Sequence, residues 1–337
     1  MEPFGMASVE GAMKRFPGLD SFDRRDLLKL LGVGGLVHTA ALAGCTPDEA
    51  APLASPTSAA ANQPAAPPGS GRAPLETFTF LQLSDTHWGF SGPPNPEAAS
   101  TLRQAVAAVN ASAVPLDFVV FTGDLTHTTP DGAERRRRMK EFQSIVSDLR
   151  VPVRHFLPGE HDADQDEGAA FRELFGETHY AFDHKGVHFV TLDNVSDPGK
   201  IIGPQQLDWL KADLAKTPAD SPVVVFTHRP LFELMPAWDW TTADGADALR
   251  VLATRPNVTV FYGHIHQEHH FKTGAIAHHA ARSLIFPLPA PGSVPKKAPL
   301  PWDPAASDHG IGYRTIQEGA DGSRLEEYPL ALSSRTP

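Results

Sequence analysis

Cysteine is almost missing: the 337 residues contain one, Cys45. A lone cysteine makes no internal disulfide, so no bridge framework holds this chain together. Long apolar runs are also short of supply. The most apolar stretch lies within "DRRDLLKLLGVGGLVHTAALAGC" and runs for about 15 residues, against ~20 for a helix that spans a bilayer. Positive charge is the third shortage, with 29 Lys and Arg against 40 Asp and Glu and a net charge of -11. Residues 1–44 hold five of each sign, so the whole deficit falls on the remainder. Such a surface repels the phosphate backbone of nucleic acid, and no basic stripe interleaved with aromatics relieves it. Nucleic acid is therefore not an expected partner. An anionic substrate would need local positive charge, such as metal ions. No internal repeat is evident.

What is there begins with a targeting segment rather than a fold. Arg24 and Arg25, with apolar residues two and three positions on, resemble a twin-arginine export signal. "LAGC" resembles the lipobox of bacterial lipoproteins, whose Cys is lipidated and becomes the new N-terminus. Residues 1–44 are then a signal peptide, and Cys45 gains a use as lipid attachment point. An uncleaved N-terminal helix is the alternative. The signal reading implies the twin-arginine machinery and a membrane as partners, and an exported, lipid-anchored protein facing the periplasm or cell exterior. Residues 45–75 are rich in Ala, Pro and Ser and cannot bury enough surface to fold. They read as a tether, able to reach up to about 85 Å at ~3 Å per residue.

From residue 76 to 332 the pattern is that of one folded domain. Short apolar runs at 78–83, 117–122, 153–157, 187–192, 223–227 and 258–262 suit strands buried on both faces. Helical spacing predicts helices over 96–111, 133–149, 166–175, 204–216 and 244–254. Leu207, Leu210 and Leu214 share one face of the fourth, which opens on Gly-Pro. The alternation argues for an α/β fold. "ERRRRMK" (134–140) reads as a solvated helix face, since four successive residues point all around a helix. The Pro-rich segment 287–308 is too long for a simple connection and is expected to border a site.

Ionisable residues gather where the apolar runs end. They are "SDTHWG" (Asp85, His87), "TGDLTH" (Asp124, His127), "PGEHD" (Glu160, His161, Asp162), "THRP" (His228, Arg229) and "GHIH" (His264, His266). Ligands of open α/β sheets sit beyond the strand ends, so five loops would bring carboxylates and imidazoles together. Asp/His mixtures suit Zn, Mn or Fe. In Asp-x-His and His-x-His, alternate residues of an extended segment point the same way.

These five blocks, in this order over residues 78–285, resemble the calcineurin-like metallophosphoesterase family. The segment "GPQQLDWLKADL" is similar to the Gln-Leu-x-Trp-Leu helix of its cyclic-phosphodiesterase-like branch. The resemblance implies a two-sheet β-sandwich flanked by helices, an α/β fold with a dinuclear metal centre at its edge. It implies hydrolysis of phosphomonoesters or phosphodiesters by a metal-bridging hydroxide that attacks phosphorus. It places Asp85, His87 and His266 on one metal, Asp124 between the two, and His228, His264 and residue 160 on the other. His161 would serve the leaving oxygen, with Asp162 orienting its ring.

The sequence departs from the family pattern at position 160, where Glu stands for Asn. Three carboxylates and a hydroxide would then neutralise two divalent ions, whereas an Asn would leave the centre at +1. Glu160 either ligates and favours a trivalent ion, or swings away and weakens the second metal. Or it marks a chain that binds metal, or a partner, and hydrolyses weakly. His127 matches the position of an iron-binding Tyr in purple acid phosphatases and of a His in a family of DNA-repair nucleases. A role behind the metal ligands or against the substrate is expected for it, ahead of direct ligation, as for Arg229. In "GHIHQEHHFKTGAIAHH", a hairpin turn at Thr273-Gly274 would face His269 to His278, either extending the metal rim or forming a polar strand edge.

Overall fold

A computed structural model describes residues 75–332, apart from 307 and 320–322. The expected signal peptide, Cys45 and the tether up to residue 74 lie outside the described residues. Among the described residues, no helix is long and apolar enough to cross a membrane.

The order is β1 (Phe78–Leu83), α1 (Ala98–Ala111), β2 (Phe118–Thr122), α2 (Gly132–Val146), β3 (Val153–Leu157) and the single turn α3 (Glu160–Ala163). Then come α4 (Ala169–Phe175), β4 (Tyr180–His184), β5 (Val187–Thr191), α5 (Pro204–Leu214), β6 (Val223–Phe226), α6 (Gly245–Leu252) and β7 (Val258–Tyr262). The hairpin β8 (His269–Thr273) and β9 (Ile276–Ala280) is followed by β10 (Gly312–Glu318) and β11 (Arg324–Pro329). Two mixed sheets result, ordered β11-β10-β1-β2-β3 and β4-β5-β6-β7-β9-β8. Strands β1–β2–β3 run parallel, as do β5–β6–β7–β9.

The runs that form β1, β2, β5, β6 and β7 have this continuous character because both their faces are covered; β3, expected to be the same, is an edge strand that is half-exposed, with Val153 open to solvent. Between the sheets lie Phe78, Phe80, Phe118, Phe189, Phe226 and Phe261. Phe80 and Phe118 stack with centroids 4.9 Å apart, and Phe189, Phe226 and Phe261 meet Phe80 edge-on. The outer face of the first sheet packs on Leu102, Val106, Val109, Met139 and Phe142 of α1 and α2. That of the second packs on Leu207, Leu210 and Leu214 of α5 and Leu249 and Leu252 of α6. Asp131 caps α2, its carboxylate accepting from the amides of Ala133 and Glu134.

A further expectation changes. The hairpin turns at Gly274-Ala275, one residue later than expected: Thr273 pairs Ile276, and His269 faces Ala280, not His278. The first central residue of such a turn needs a positive φ, which Gly274 adopts at +61° and the β-branched Thr273 resists. The basic run of α2 is solvated at Arg137 and Lys140, and its four arginines pair with carboxylates. Arg135 pairs Asp166, Arg136 pairs Glu173, Arg137 pairs Glu134 and Glu141, and Arg138 pairs Glu134.

Candidate metal centre

Each chemistry-bearing block leaves the C-terminal end of a parallel strand. Asp85 and His87 follow β1, Asp124 and His127 follow β2, and Glu160, His161 and Asp162 follow β3. From the other sheet, His228 follows β6, and His264 and His266 follow β7. The first two loops keep the ladder going past the strands, with the Asp85 and His87 amides donating to the carbonyls of Gly123 (3.1 Å) and Asp124 (2.9 Å). Yet Asp85, His87, Asp124, His264 and His266 all have left-handed backbone, with φ between 42° and 66°. Each such residue costs about 1–2 kcal/mol, and strain of this kind collects at functional sites. Close approach also dictates two glycines. A Cβ on Gly159 would collide with the Asp124 carboxylate, and one on Gly263 would meet Asp85 Oδ2 at 2.7 Å.

Backbone carbonyls settle which imidazole nitrogen faces the centre. His228 Nδ1 lies 2.8 Å from the Thr122 carbonyl, His266 Nδ1 2.8 Å from that of Phe286, and His264 Nε2 3.0 Å from that of Asp239. A carbonyl only accepts, so these nitrogens carry the proton and the opposite ones turn a lone pair inward. His228 Nε2 then stands 2.9 Å from Glu160 Oε2, and His264 Nδ1 2.7 Å from Glu160 Oε1. His228 Nε2, His264 Nδ1 and Glu160 Oε2 are buried without hydrogen-bond geometry to any partner. Lone pairs facing one another at such separations repel unless a proton or a metal ion lies among them. On the other side, His266 Nε2 is 3.2 Å from His87 Nε2 and 3.3 Å from Asp85 Oδ1. Asp124 Oδ2 joins the halves, 3.4 Å from both His87 Nε2 and His228 Nε2.

Ligand atoms of Asp85, His87, Asp124 and His266 fall within 4.8 Å of one another, as do those of Glu160, His228 and His264. This buried nitrogen and oxygen set fits two transition-metal ions. The charges agree. Burial and the Glu160 carboxylate push Asp124 up, but the imidazoles of His228, His161 and His87 hold it down at about 2. Against burial, the carboxylates of Asp124 and Glu160 drive His228 well above its usual value. The carboxylates thus draw positive charge into the cavity, the work a metal ion would do.

Asp162 is placed differently from expectation. Its carboxylate does not touch His161. It accepts from the amides of Leu125 (2.9 Å), Thr126 (2.9 Å) and Gly159 (3.0 Å) and from the Thr126 hydroxyl (2.9 Å). It ties the β3 loop to the β2 loop and thereby positions Asp124 and Glu160. Burial and the Asp124 charge raise it to about 6, against the pull of those amides. His161 is oriented instead by the Thr128 amide, which donates to its Nδ1 at 3.1 Å. Nδ1 therefore acts as an acceptor, which leaves Nε2 as the N–H of the ring, 3.9 Å from Asp124 Oδ2 on a partly exposed side chain.

His127 reaches His87 rather than the centre, Nδ1 to Nδ1 at 3.3 Å. Burial and the His161 charge lower it to about 4, leaving it neutral and able to accept the His87 proton. Arg229 is spent on Asp239 and the Thr241 carbonyl, holding the segment whose carbonyl orients His264. His269 bonds the Tyr262 hydroxyl at 3.0 Å, and His278 is buried beside Phe232 with neither nitrogen partnered. Neither belongs to the metal-compatible groups. Sequence reasoning missed Asp239, which acts through its backbone oxygen and so leaves no side-chain signal. It also missed Ser84, whose hydroxyl donates to Asp85 Oδ2 at 2.5 Å.

The sequence profile of the calcineurin-like phosphoesterase family matches residues 78–268. A protein of Rhodopseudomonas palustris described as a "probable cyclic nucleotide phosphodiesterase" is 28% identical over 233 residues, covering 64% of this chain and 83% of its own. One of Rhodococcus erythropolis with the same description is 30% identical over 175 residues, covering 48% of this chain and 56% of its own. Among solved structures, purple acid phosphatase from yellow lupin seeds superposes with a TM-score of 0.56 at 13% identity, over 75% of this chain and 52% of that one. A Plasmodium protein described as the anchor in the inner membrane complex gives 0.51 at 15% identity, over 77% and 90%. At these identities the two structures speak for the shared fold.

Proposed function

We propose that this chain, which belongs to the calcineurin-like phosphoesterase family and is a phosphoric ester hydrolase, cleaves phosphomonoesters or phosphodiesters outside the cytoplasm with two metal ions. The observation that carries the reading is the pair of ligand groups joined by Asp124, with lone pairs converging on Glu160 on one side and on Asp85 on the other. Asp85, His87 and His266 would hold one ion and Glu160, His228 and His264 the other, with Asp124 available to both. When bound, a pair of cations supplies Lewis acidity, lowers the pKa of water and neutralises developing charge. Fe, Mn and Zn all suit the donors. Glu160 ligates, because both its oxygens face imidazole lone pairs.

His161 acts on the leaving group. Its Nε2–H is turned toward the centre by the bond at Nδ1, and a proton held there meets the departing oxygen. His127 keeps the His87 ring in place from behind. The descriptions of the two bacterial relatives favour diesters. Export through the twin-arginine machinery and a lipid on Cys45 place the target among phosphate esters of the periplasm or cell exterior rather than in the cytosol. Cys45→Ser is expected to move the protein from the membrane fraction to the soluble one.

The test is direct. The purified protein is expected to carry two metal ions per chain and to hydrolyse model mono- or diesters, with Asp124→Asn abolishing turnover. Two bound ions without hydrolysis of either ester class would overturn the reading in favour of a metal-binding protein that performs no catalysis.

A further inference from the structure

The Pro-rich segment is built as a closed loop on the edge of the metal centre. Its entrance is pinned where the Phe286 carbonyl accepts from His266 Nδ1 at 2.8 Å and the Pro289 carbonyl accepts from Gln267 at 3.1 Å. Residues 287–300 close on themselves where the Leu300 amide donates to the Pro287 carbonyl at 3.0 Å. Along residues 292–300 every position is exposed except Lys297. This inverts the usual order. Val294 and Leu300 stand 39% exposed each, while the residue type most strongly drawn to water is the one that is partly buried.

Burial and the Arg229 charge lower the pKa of Lys297, and the charges of Glu160, Asp239 and Asp124 act to raise it. Its ammonium forms no ion pair or hydrogen bond among the described residues, whereas the other nearby cations are committed. Arg229 is bound to Asp239, and Arg138 to Glu134 and to the His127 carbonyl. A partly buried lysine with an unpaired ammonium, on a loop pinned beside the metal ligand His266, is suited to meet an anion arriving from solvent.

We propose that Lys297 is a substrate-binding residue whose ammonium grips a non-bridging phosphoryl oxygen, so that the Pro-rich loop supplies the positive charge that the Glu160 carboxylate removes from the metal centre. The inference rests on the phosphoesterase reading for its ligand class, an ester or ion bearing a tetrahedral phosphate. It separates two tasks: the metal ligands hold the reacting centre, and the loop selects for anionic charge at its edge. It also gives the unusual Glu160 a counterpart 137 positions further along the chain.

Calorimetric titration of the full-length, metal-loaded protein with inorganic phosphate tests this without requiring turnover. Lys297→Met, which keeps the length of the side chain, is expected to weaken phosphate binding roughly tenfold or more, the worth of one hydrogen bond to a charged group. Metal content should stay unchanged, and Lys297→Arg should stay close to the parent. Equal affinity in Lys297→Met overturns the proposal. So does an equal loss in Lys297→Arg, which would mark a packing role, and so does a metal-loaded parent that binds no phosphate. Phosphate binding that depends on Lys297 in a protein that hydrolyses no ester would uphold the proposal while overturning the catalytic reading.

Discussion

Two sets of histidines flank β7, and they differ in one respect. In the metal set, His228, His264 and His266 each have one nitrogen occupied by a backbone carbonyl and the other aimed at a carboxylate. In the β8–β9 hairpin, His270 and His279 bond each other at 2.7 Å, His270 also meets the exposed Glu268 carboxylate at 3.0 Å, His269 bonds the Tyr262 hydroxyl, and His278 has no partner. Both sets contain closely spaced imidazoles. The comparison teaches that density of histidine does not make a ligand. A tautomer fixed by a backbone carbonyl and a buried carboxylate shared by several imidazoles do.

The sharpest way to break this comparison is to remove one member of each set. His228→Ala is expected to weaken metal binding by more than ~100-fold, beyond the range seen when only an outer partner of a ligand is lost, while His278→Ala keeps its metal. Metal analysis after dialysis decides, and equal metal loss in both would end the distinction. Next in size is the scaffold behind the ligands. Asp162→Asn places an amide NH2 against backbone donors and should lower stability by about 3 kcal/mol, read from the denaturant midpoint. An unchanged midpoint would show that the β2 and β3 loops do not need this tie. Glu160→Asn should keep the fold and shift metal preference, seen as a changed ratio of Fe, Mn and Zn taken up from a mixture. An unchanged ratio with unchanged kinetics would remove Glu160 from the ligands.

The smallest effect has the opposite sign. His278→Leu removes two unpartnered buried nitrogens and should stabilise by about 1 kcal/mol. It also bears on acid sensitivity. Burial lowers His278 from 6.5 to about 4, so the fold favours the neutral ring. That stability is complete above pH 6.5 and is lost as pH falls toward 4, because the unfolded chain takes up the proton first. Melting temperatures of the metal-free protein across this window should fall less steeply for His278→Leu. Parallel curves would show that the ring titrates as if exposed.

The strand ends and their ionisable blocks were legible in the sequence because β1, β2, β5, β6 and β7 are buried on both faces and read as apolar runs, and because β3, a half-exposed edge strand, still ends on Phe156 and Leu157 before its Pro-Gly. β10 and β11 were not. "GYRTIQE" and "RLEEYP" carry charges, since Arg314 and Glu327 pair at 3.3 Å within the sheet, and the long loop hides their relation to β1. The residue types of the centre could be read, but not what fixes them. The carbonyls of Thr122, Phe286 and Asp239 belong to segments far away in sequence, and a carbonyl has no letter of its own. Asp162 misled for a similar reason. Its neighbour His161 suggested a side-chain pair, whereas three backbone amides offered a better-satisfied place for a carboxylate.

The centre draws Asp85, His87, Asp124 and Glu160 from one sheet and His228, His264 and His266 from the other. Any ion bound there is therefore a rivet between two leaves that are otherwise joined by their phenylalanine filling. Fastening of this sort depends on supply, since a ligand bound only by the native form adds stability in step with its free concentration. In a metal-poor medium the same chain would be a more loosely closed book, opening first along the edge where a substrate enters.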